Sequence, residues 1–187
     1  MLYPDAVTLD PVVDAGQLLS RIDARRGCSI KDSFASLDLA EHGFRQLVEA
    51  EWVVVDRASA ADRWSTLETP AQFEEWSSAW GDATGSDFFR PSLLLTPRIA
   101  VLARYDGGRL TAGALANRSR TVIGVSNVFH IDDDLAAAWR GAAGAASARW
   151  RSPRVVGWAS GAELEATRQA GFRTAGPLVV WTNAGPV

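Results

Sequence analysis

The sequence predicts a mixed α/β chain of the α+β kind, with a mostly antiparallel sheet flanked by helices and an elaborated helical first half. Three observations carry that expectation. After Arg98, two turn signals, Asp106-Gly107-Gly108 and Asn117-Arg118-Ser119, separate three strand-like runs, which is the pattern of an antiparallel meander. From there helix and strand alternate to the end of the chain, and before it apolar residues recur at helical spacing.

In chain order, Val12 to Arg25 places Val13, Leu18, Leu19 and Ile22 near one face, and Leu39 to Glu51 does the same with Phe44, Leu47 and Val48, so both segments predict amphipathic helices. Trp52-Val53-Val54-Val55 predicts a short buried strand from its β-branched content, ended by the polar stretch Asp56 to Asp62. A helix opens at Thr69-Pro70, where Thr69 can cap and Pro70 suits the first helical position; Phe73, Trp76 and Trp80 follow at helical spacing until Gly81 stops it. Gly81 to Pro97 reads as a connection, so the expected division is a helical or mixed lobe over 1–97 and a core over 98–187. In the core, strands are expected at Ile99 to Tyr105, Arg109 to Ala116 and Val122 to Phe129. A helix over Asp134 to Trp150, a strand over Arg154 to Trp158, a helix over Gly161 to Ala170 ended by Gly171, and a strand over Phe172 to Thr182 complete it.

With 187 residues, 47% hydrophobic and 22% charged, the chain can bury a full core as one compact domain or two small lobes. No apolar run reaches the roughly 18 residues of a membrane span, and Met1 to Asp14 carries acids where a secretion signal carries basic residues. A cytoplasmic protein with no membrane partner is expected. One cysteine, Cys28, and two distant histidines, His42 and His130, exclude a disulfide framework and the usual zinc spacings, so no metal is expected. Arg25 and Arg26 beside Cys28 favour its thiolate, but no base stands near it in sequence, and it reads as a buried or inert thiol. Residues 1–97 carry 8 basic and 16 acidic side chains and residues 98–187 carry 11 and 6, so the second part can attract an anionic ligand. No dense basic stripe interleaved with aromatics is present, and nucleic acid is not an expected partner. Eight Trp residues belong in core or interface, and a homodimer would bury the surplus.

The order strand, hairpin, strand, strand, helix, strand, helix, Gly-Phe, strand over about 85 residues resembles the C-terminal core of the GNAT superfamily of acyl-CoA-dependent N-acyltransferases. The fragments that carry the resemblance are Tyr105-Asp106-Gly107-Gly108-Arg109 leading into Ala112-Gly113-Ala114, and Ala170-Gly171-Phe172 with the closing strand Leu178 to Trp181. The resemblance implies acetyl-CoA as acyl donor and a small-molecule amine as acceptor. It places the pyrophosphate on backbone N–H groups at the start of the helix that follows the family's fourth strand. Arg140-Gly141-Ala142-Ala143-Gly144-Ala145 invites that assignment, but the resemblance implies a helix that begins roughly twenty residues before the next strand, and counting back from Arg154 then puts the loop at Phe129 to Asp134 and leaves those glycines inside the helix, where amides are already bonded. Ala137, Gly141, Gly144, Ala145 and Ala148 then form a small-residue stripe for close packing on the sheet.

The loop position holds His130-Ile131-Asp132-Asp133-Asp134. An Asp at the N-cap fills donors that a pyrophosphate would need, and clustered carboxylates repel it; magnesium or calcium, which suit hard oxygen ligands, would reverse that sign, but consecutive Asp residues splay apart. By the resemblance, Val128, Phe129, His130, Asp132, Asp133, Asp134, Leu135 and Ser160 line the cofactor. Asn127 and Ser126 lie on the strand that in the family splays from its neighbour and offers backbone to the pantetheine arm. Aligning on Gly171-Phe172 puts Ser160 where the family has an Asn and Thr167 where it has a Tyr general acid, and an aliphatic hydroxyl is a far weaker proton donor than a phenol. Catalytic work then falls to His130 and Asn127, with Glu51 or Asp56 as other sources of a base. Two readings stand: an N-acyltransferase, or a catalytically inactive GNAT-fold module that binds a small molecule or protein.

Overall fold

A computed structural model of the chain describes residues 4–56, 58, 61–81, 89–131, 134–151 and 154–185. The chain forms two compact units, 1–52 with 159–161 and 175–187, and 53–158 with 162–174, so the division does not fall at the expected 97/98 boundary. No helix among the described residues is long and apolar enough to cross a membrane.

The first unit contains β1 (Ala6–Val7), α1 (Ala15–Leu19), β2 (Ser29–Asp32) and most of β3 (Phe44–Val55), and it takes back the later part of β9 (Arg173–Asn183). β1 lies parallel to β2, and β2 is antiparallel to β9 with Ile30 opposite Trp181. Cys28, Ile30, Leu37, Leu39, Phe44, Val179 and Trp181 form its core. Asp32 has no exposed surface; its side-chain oxygens accept from Leu37 N at 2.7 Å, Phe34 N at 3.2 Å and Thr8 Oγ1 at 3.2 Å, so the buried polar group is satisfied by hydrogen bonds. Cys28 is buried, and burial followed by the Asp5 carboxylate raises its pKa, so the expected influence of the neighbouring arginines is outweighed.

Two expected helices are corrected here. Val12 to Arg25 is helical only over α1, capped by Asp14, whose carboxylate accepts from Gln17 N, and closed at Ser20. Leu39 to Glu51 is a single 3-10 turn, Ala40–His42, followed by the long strand β3. Gly43, at φ +79°, turns the chain out of the helical path. Of the three residues that suggested helical spacing, Phe44 is buried while Leu47 is 52% exposed, and the β-branched run Trp52 to Val55 continues the same strand. The strands β1 and β2, and β4 (Trp64–Thr66) of the second unit, carry too few residues for their alternation to be read from sequence.

The second unit follows the expected meander closely. β4, β5 (Ile99–Asp106), β6 (Arg109–Arg118) and β7 (Ile123–His130) pair antiparallel in that order, and β8 (Val155–Ala159) joins β7 in parallel after the crossover helix α3 (Leu135–Trp150). The sheet is therefore mixed and mostly antiparallel. α2 (Pro70–Trp80) is closed at its start by a full capping box between Thr69 and Gln72, as Thr69-Pro70 led one to expect. A 3-10 helix, Pro91–Leu95, occupies part of the connection before β5, and α4 (Gly161–Gln169) precedes β9.

β6 is buried along most of its length because helices cover both faces of the sheet. On one face Ala100, Leu102, Ala114, Ala116, Ile123 and Val125 meet Trp139, Ala142, Ala143 and Ala146 of α3. On the other, Trp76 of α2 has no exposed surface and its Nε1 donates to Leu102 O at 3.0 Å. The packing face of α3 is Ala138, Trp139, Ala142, Ala143, Gly144 and Ala146, rotated from the expected stripe, in which Ala148 turns out exposed. Gly141 serves another purpose: a Cβ there would strike the Trp64 indole, which lies against the helix.

Candidate functional site

The site is where β7 parts from β8. Ile123 to Ser126 of β7 stand opposite Arg118 to Leu115, and Phe129 and His130 stand opposite Gly113 and Ala112, so Asn127 and Val128 together oppose the single residue Ala114. That is a β-bulge, and Asn127 sits in it at φ +53°, a left-handed conformation that Asn tolerates better than most residues. Its Nδ2 donates to Ser126 Oγ at 3.0 Å. The parallel ladder to β8 consists of Ile123 with Val155 and Gly124 with Val156. Beyond it β7 continues for six residues without pairing to β8, so the bulge stands on an open backbone edge.

Alternation then sorts the side chains. Phe129 faces α2, edge-on to Trp76 at 5.4 Å between ring centroids, in room left by Gly113, where a Cβ would strike both rings. Val128 faces the other way, against the α3 core. The Nδ1 atom of His130, at the end of β7, is buried with no hydrogen-bond partner among the described residues.

The wall opposite this edge is built by Trp139. It is 1% exposed and lies over Gly157 of β8, where a Cβ would come within 2.8 Å of its Cη2 and 2.9 Å of Val125 O. It meets Phe172 edge-on at 5.4 Å, and its Nε1 donates to Glu163 Oε1 in the first turn of α4 at 3.1 Å. Burial raises the pKa of Glu163, and the indole N–H offsets part of that rise. Sequence reasoning missed Glu163, since the only signal it offers is an acid in a helix's first turn, and its partner stands 24 residues away.

α3 opens at Leu135, not at the glycines. Asp134 is its N-cap, accepting from Ala137 N at 2.8 Å, and Leu135 packs on the core. Asp132 and Asp133 lie outside the described residues. Arg140 is inside the helix, and its Nη2 donates to Gln169 O at 2.9 Å, closing the end of α4. Thr167 has no exposed surface and its hydroxyl donates to Leu164 O at 2.7 Å, so it is a packed helix residue with its proton engaged. Ser160 and Glu51 fall in the first unit.

Asp56, considered as a base, is an anchor. Arg154 Nε at 2.6 Å and Arg173 Nη2 at 3.0 Å bind its two oxygens, and these guanidinium bonds hold its pKa below the usual carboxylate range. Among the described residues no three His, Cys, Asp or Glu side chains gather as metal ligands.

The arrangement therefore offers a bulged strand edge unpaired with β8, an imidazole nitrogen with no partner among the described residues, and a half-buried carboxyl with a raised pKa. The strand edge can take an extended, hydrogen-bonding arm as an added strand. At the start of α3 the N-cap carboxylate occupies one donor and supplies like charge, which weakens this helix end as a seat for a CoA pyrophosphate.

No protein-family model and no curated protein matches the sequence. Solved structures do match the fold. A conserved protein of unknown function from Staphylococcus epidermidis superposes with a TM-score of 0.63 at 11% identity, over 84% of this chain and 73% of that one. A GCN5-related N-acetyltransferase from Kribbella flavida gives 0.58 at 15% identity, over 86% and 70%. An acetyltransferase of the GNAT family from Colwellia psychrerythraea gives 0.55 at 11% identity, over 82% and 64%.

Proposed function

From the GNAT fold that this chain shares with solved acetyltransferases, we propose that it is an N-acyltransferase that moves an acyl group, such as acetyl, from acyl-CoA to a small-molecule amine. The observation that carries the reading is the bulge at Asn127-Val128 on an edge of β7 that has left its partner β8. An extended pantetheine arm hydrogen-bonds to such an edge as a strand does. The bulge directs the backbone of Val128 toward the carbonyl at the arm's end, where amide donors stabilise developing negative charge.

In the transfer, the amine nitrogen bonds to the thioester carbonyl, the C–S bond breaks, the thiolate leaves, and the surplus amine proton goes to a base. His130 is assigned that proton because its Nδ1 has no other partner among the described residues. Asn127 holds the bulge, and Glu163 orients Trp139, which bounds the crevice.

Calorimetric titration with acetyl-CoA, followed by thiol release in the presence of an amine panel, tests this. Saturable micromolar binding and amine-dependent thiol release are expected, with His130→Gln lowering turnover by about 10²–10⁴-fold. Absence of binding overturns it.

A second reading has its own support. Asp134 occupies the helix-terminal donor and Thr167 cannot serve as an acid, which favours a catalytically inactive GNAT-fold module holding a small molecule at the same edge. Absence of acetyl-CoA binding together with a thermal shift produced by another small molecule, such as an amine or aromatic acid, would select it.

A further inference from the structure

At the opposite end of β7 from the bulge, Pro97, Arg98, Arg118, Ser119 and Arg120 line a cavity of about 400 Å3. Arg118 closes β6 opposite Ile123, Ser119 N donates to Val122 O at 2.9 Å to form the turn that carries Arg120, and Arg118 N donates to Arg98 O at 2.7 Å. The three arginines thus spring from a hydrogen-bonded framework at the end of a sheet rather than from a loose loop. Among the described residues, none of the three has a carboxylate partner. Elsewhere in this unit guanidinium groups are engaged: Arg63 by Asp106, Arg154 and Arg173 by Asp56, and Arg140 by a helix-end carbonyl. Three cations that have no carboxylate partner among the described residues and face one cavity repel one another, and a polyanion relieves that repulsion while accepting paired N–H bonds from each planar fork.

We propose that this cavity is a binding site for a polyphosphate group, distinct from the crevice at the bulge. The bulge at Asn127-Val128 lies four to five residues along β7 from Ile123, so the two sites stand roughly 15 Å apart along the strand. A single carboxylate would satisfy one guanidinium, whereas linked phosphates carry enough oxygens and charge for three. The group is that of a free nucleotide or similar small molecule: the chain as a whole carries a net charge of −3, and a nucleic acid would meet that field beyond the cavity. The proposal does not rest on the acyltransferase reading.

The test is titration of the full chain with tripolyphosphate and with a short DNA duplex at low salt, using the parent, the double variant Arg118→Ala/Arg120→Ala, and Arg98→Ala. Circular dichroism confirms that these exposed substitutions leave the fold intact. Expected are saturable binding of tripolyphosphate, about tenfold weakening for each arginine removed, and unchanged acetyl-CoA binding in the same variants. No saturable binding by the parent, binding unaffected by the substitutions, or arginine-dependent binding of the duplex alone would each overturn the proposal.

Discussion

β7 has opposite chemistry at its two ends. At its C-terminal end the strand is bulged and unpaired from β8, and the helix that follows is capped by a carboxylate. At its N-terminal end the ladder is regular on both sides, and three arginines with no carboxylate partner among the described residues line a cavity. Both ends lie in the stretch 98–187, so its excess of basic side chains conceals a local difference in sign between the two ends of one strand. A parallel crossover produces this, because it returns the chain to the start of β8 and leaves the helix start and the turn region at opposite ends of the sheet.

The strongest way to break the crevice end is to remove its wall. Trp139→Ala takes a nearly inaccessible indole from between α3, Gly157 and Phe172 and should cost about 3–5 kcal/mol in urea denaturation. Trp139→Phe should cost clearly less, and equal losses for the two would mean that packing of the ring is not what holds α3 there. Gly113→Ala comes next, at about 1–3 kcal/mol, because its Cβ would meet both the Trp76 and Phe129 rings. The same measurement checks it, and a neutral result would show that the bulged strand yields easily.

Asp134→Ala sharpens the comparison by changing charge and cap together. It should cost about 1 kcal/mol of stability, while Asp134→Ser retains the cap and removes the carboxylate. If like charge at the helix start weakens acetyl-CoA, both variants bind it more tightly than the parent in calorimetry, and the serine variant does so without the loss of stability.

The smallest effects are titrations. Glu163 has a raised pKa in the folded chain, so its contribution to stability is full below about pH 4 and is lost as pH rises through the raised value. Glu163→Gln should remove that slope and leave the chain more stable at neutral pH, read as a higher midpoint in denaturation across a pH series. Asp56 behaves in the opposite sense: its lowered pKa gives stability that is present above its ordinary value and disappears as pH falls through the lowered one, a slope that Asp56→Asn should abolish. Both groups stand close to guanidinium or indole donors, and the sign of each slope separates burial from ion pairing as the dominant cause.

Local pattern alone sufficed for the meander, for the capped helix at Thr69, and for the start of the crossover helix at Asp134 rather than at Gly141. Turn residues, cap residues and strand alternation act within a few positions, so they leave a readable mark on the chain. Tertiary contact decided the rest. It drew Phe44 to Glu51 into a strand against the helical spacing of its apolar residues, and it set Trp139 against Glu163 across 24 residues. It also brought Arg98 and Arg118 side by side at one cavity, although 20 residues of sequence separate them. Burial and charge pairing depend on which distant segments arrive together, and no local spacing encodes that.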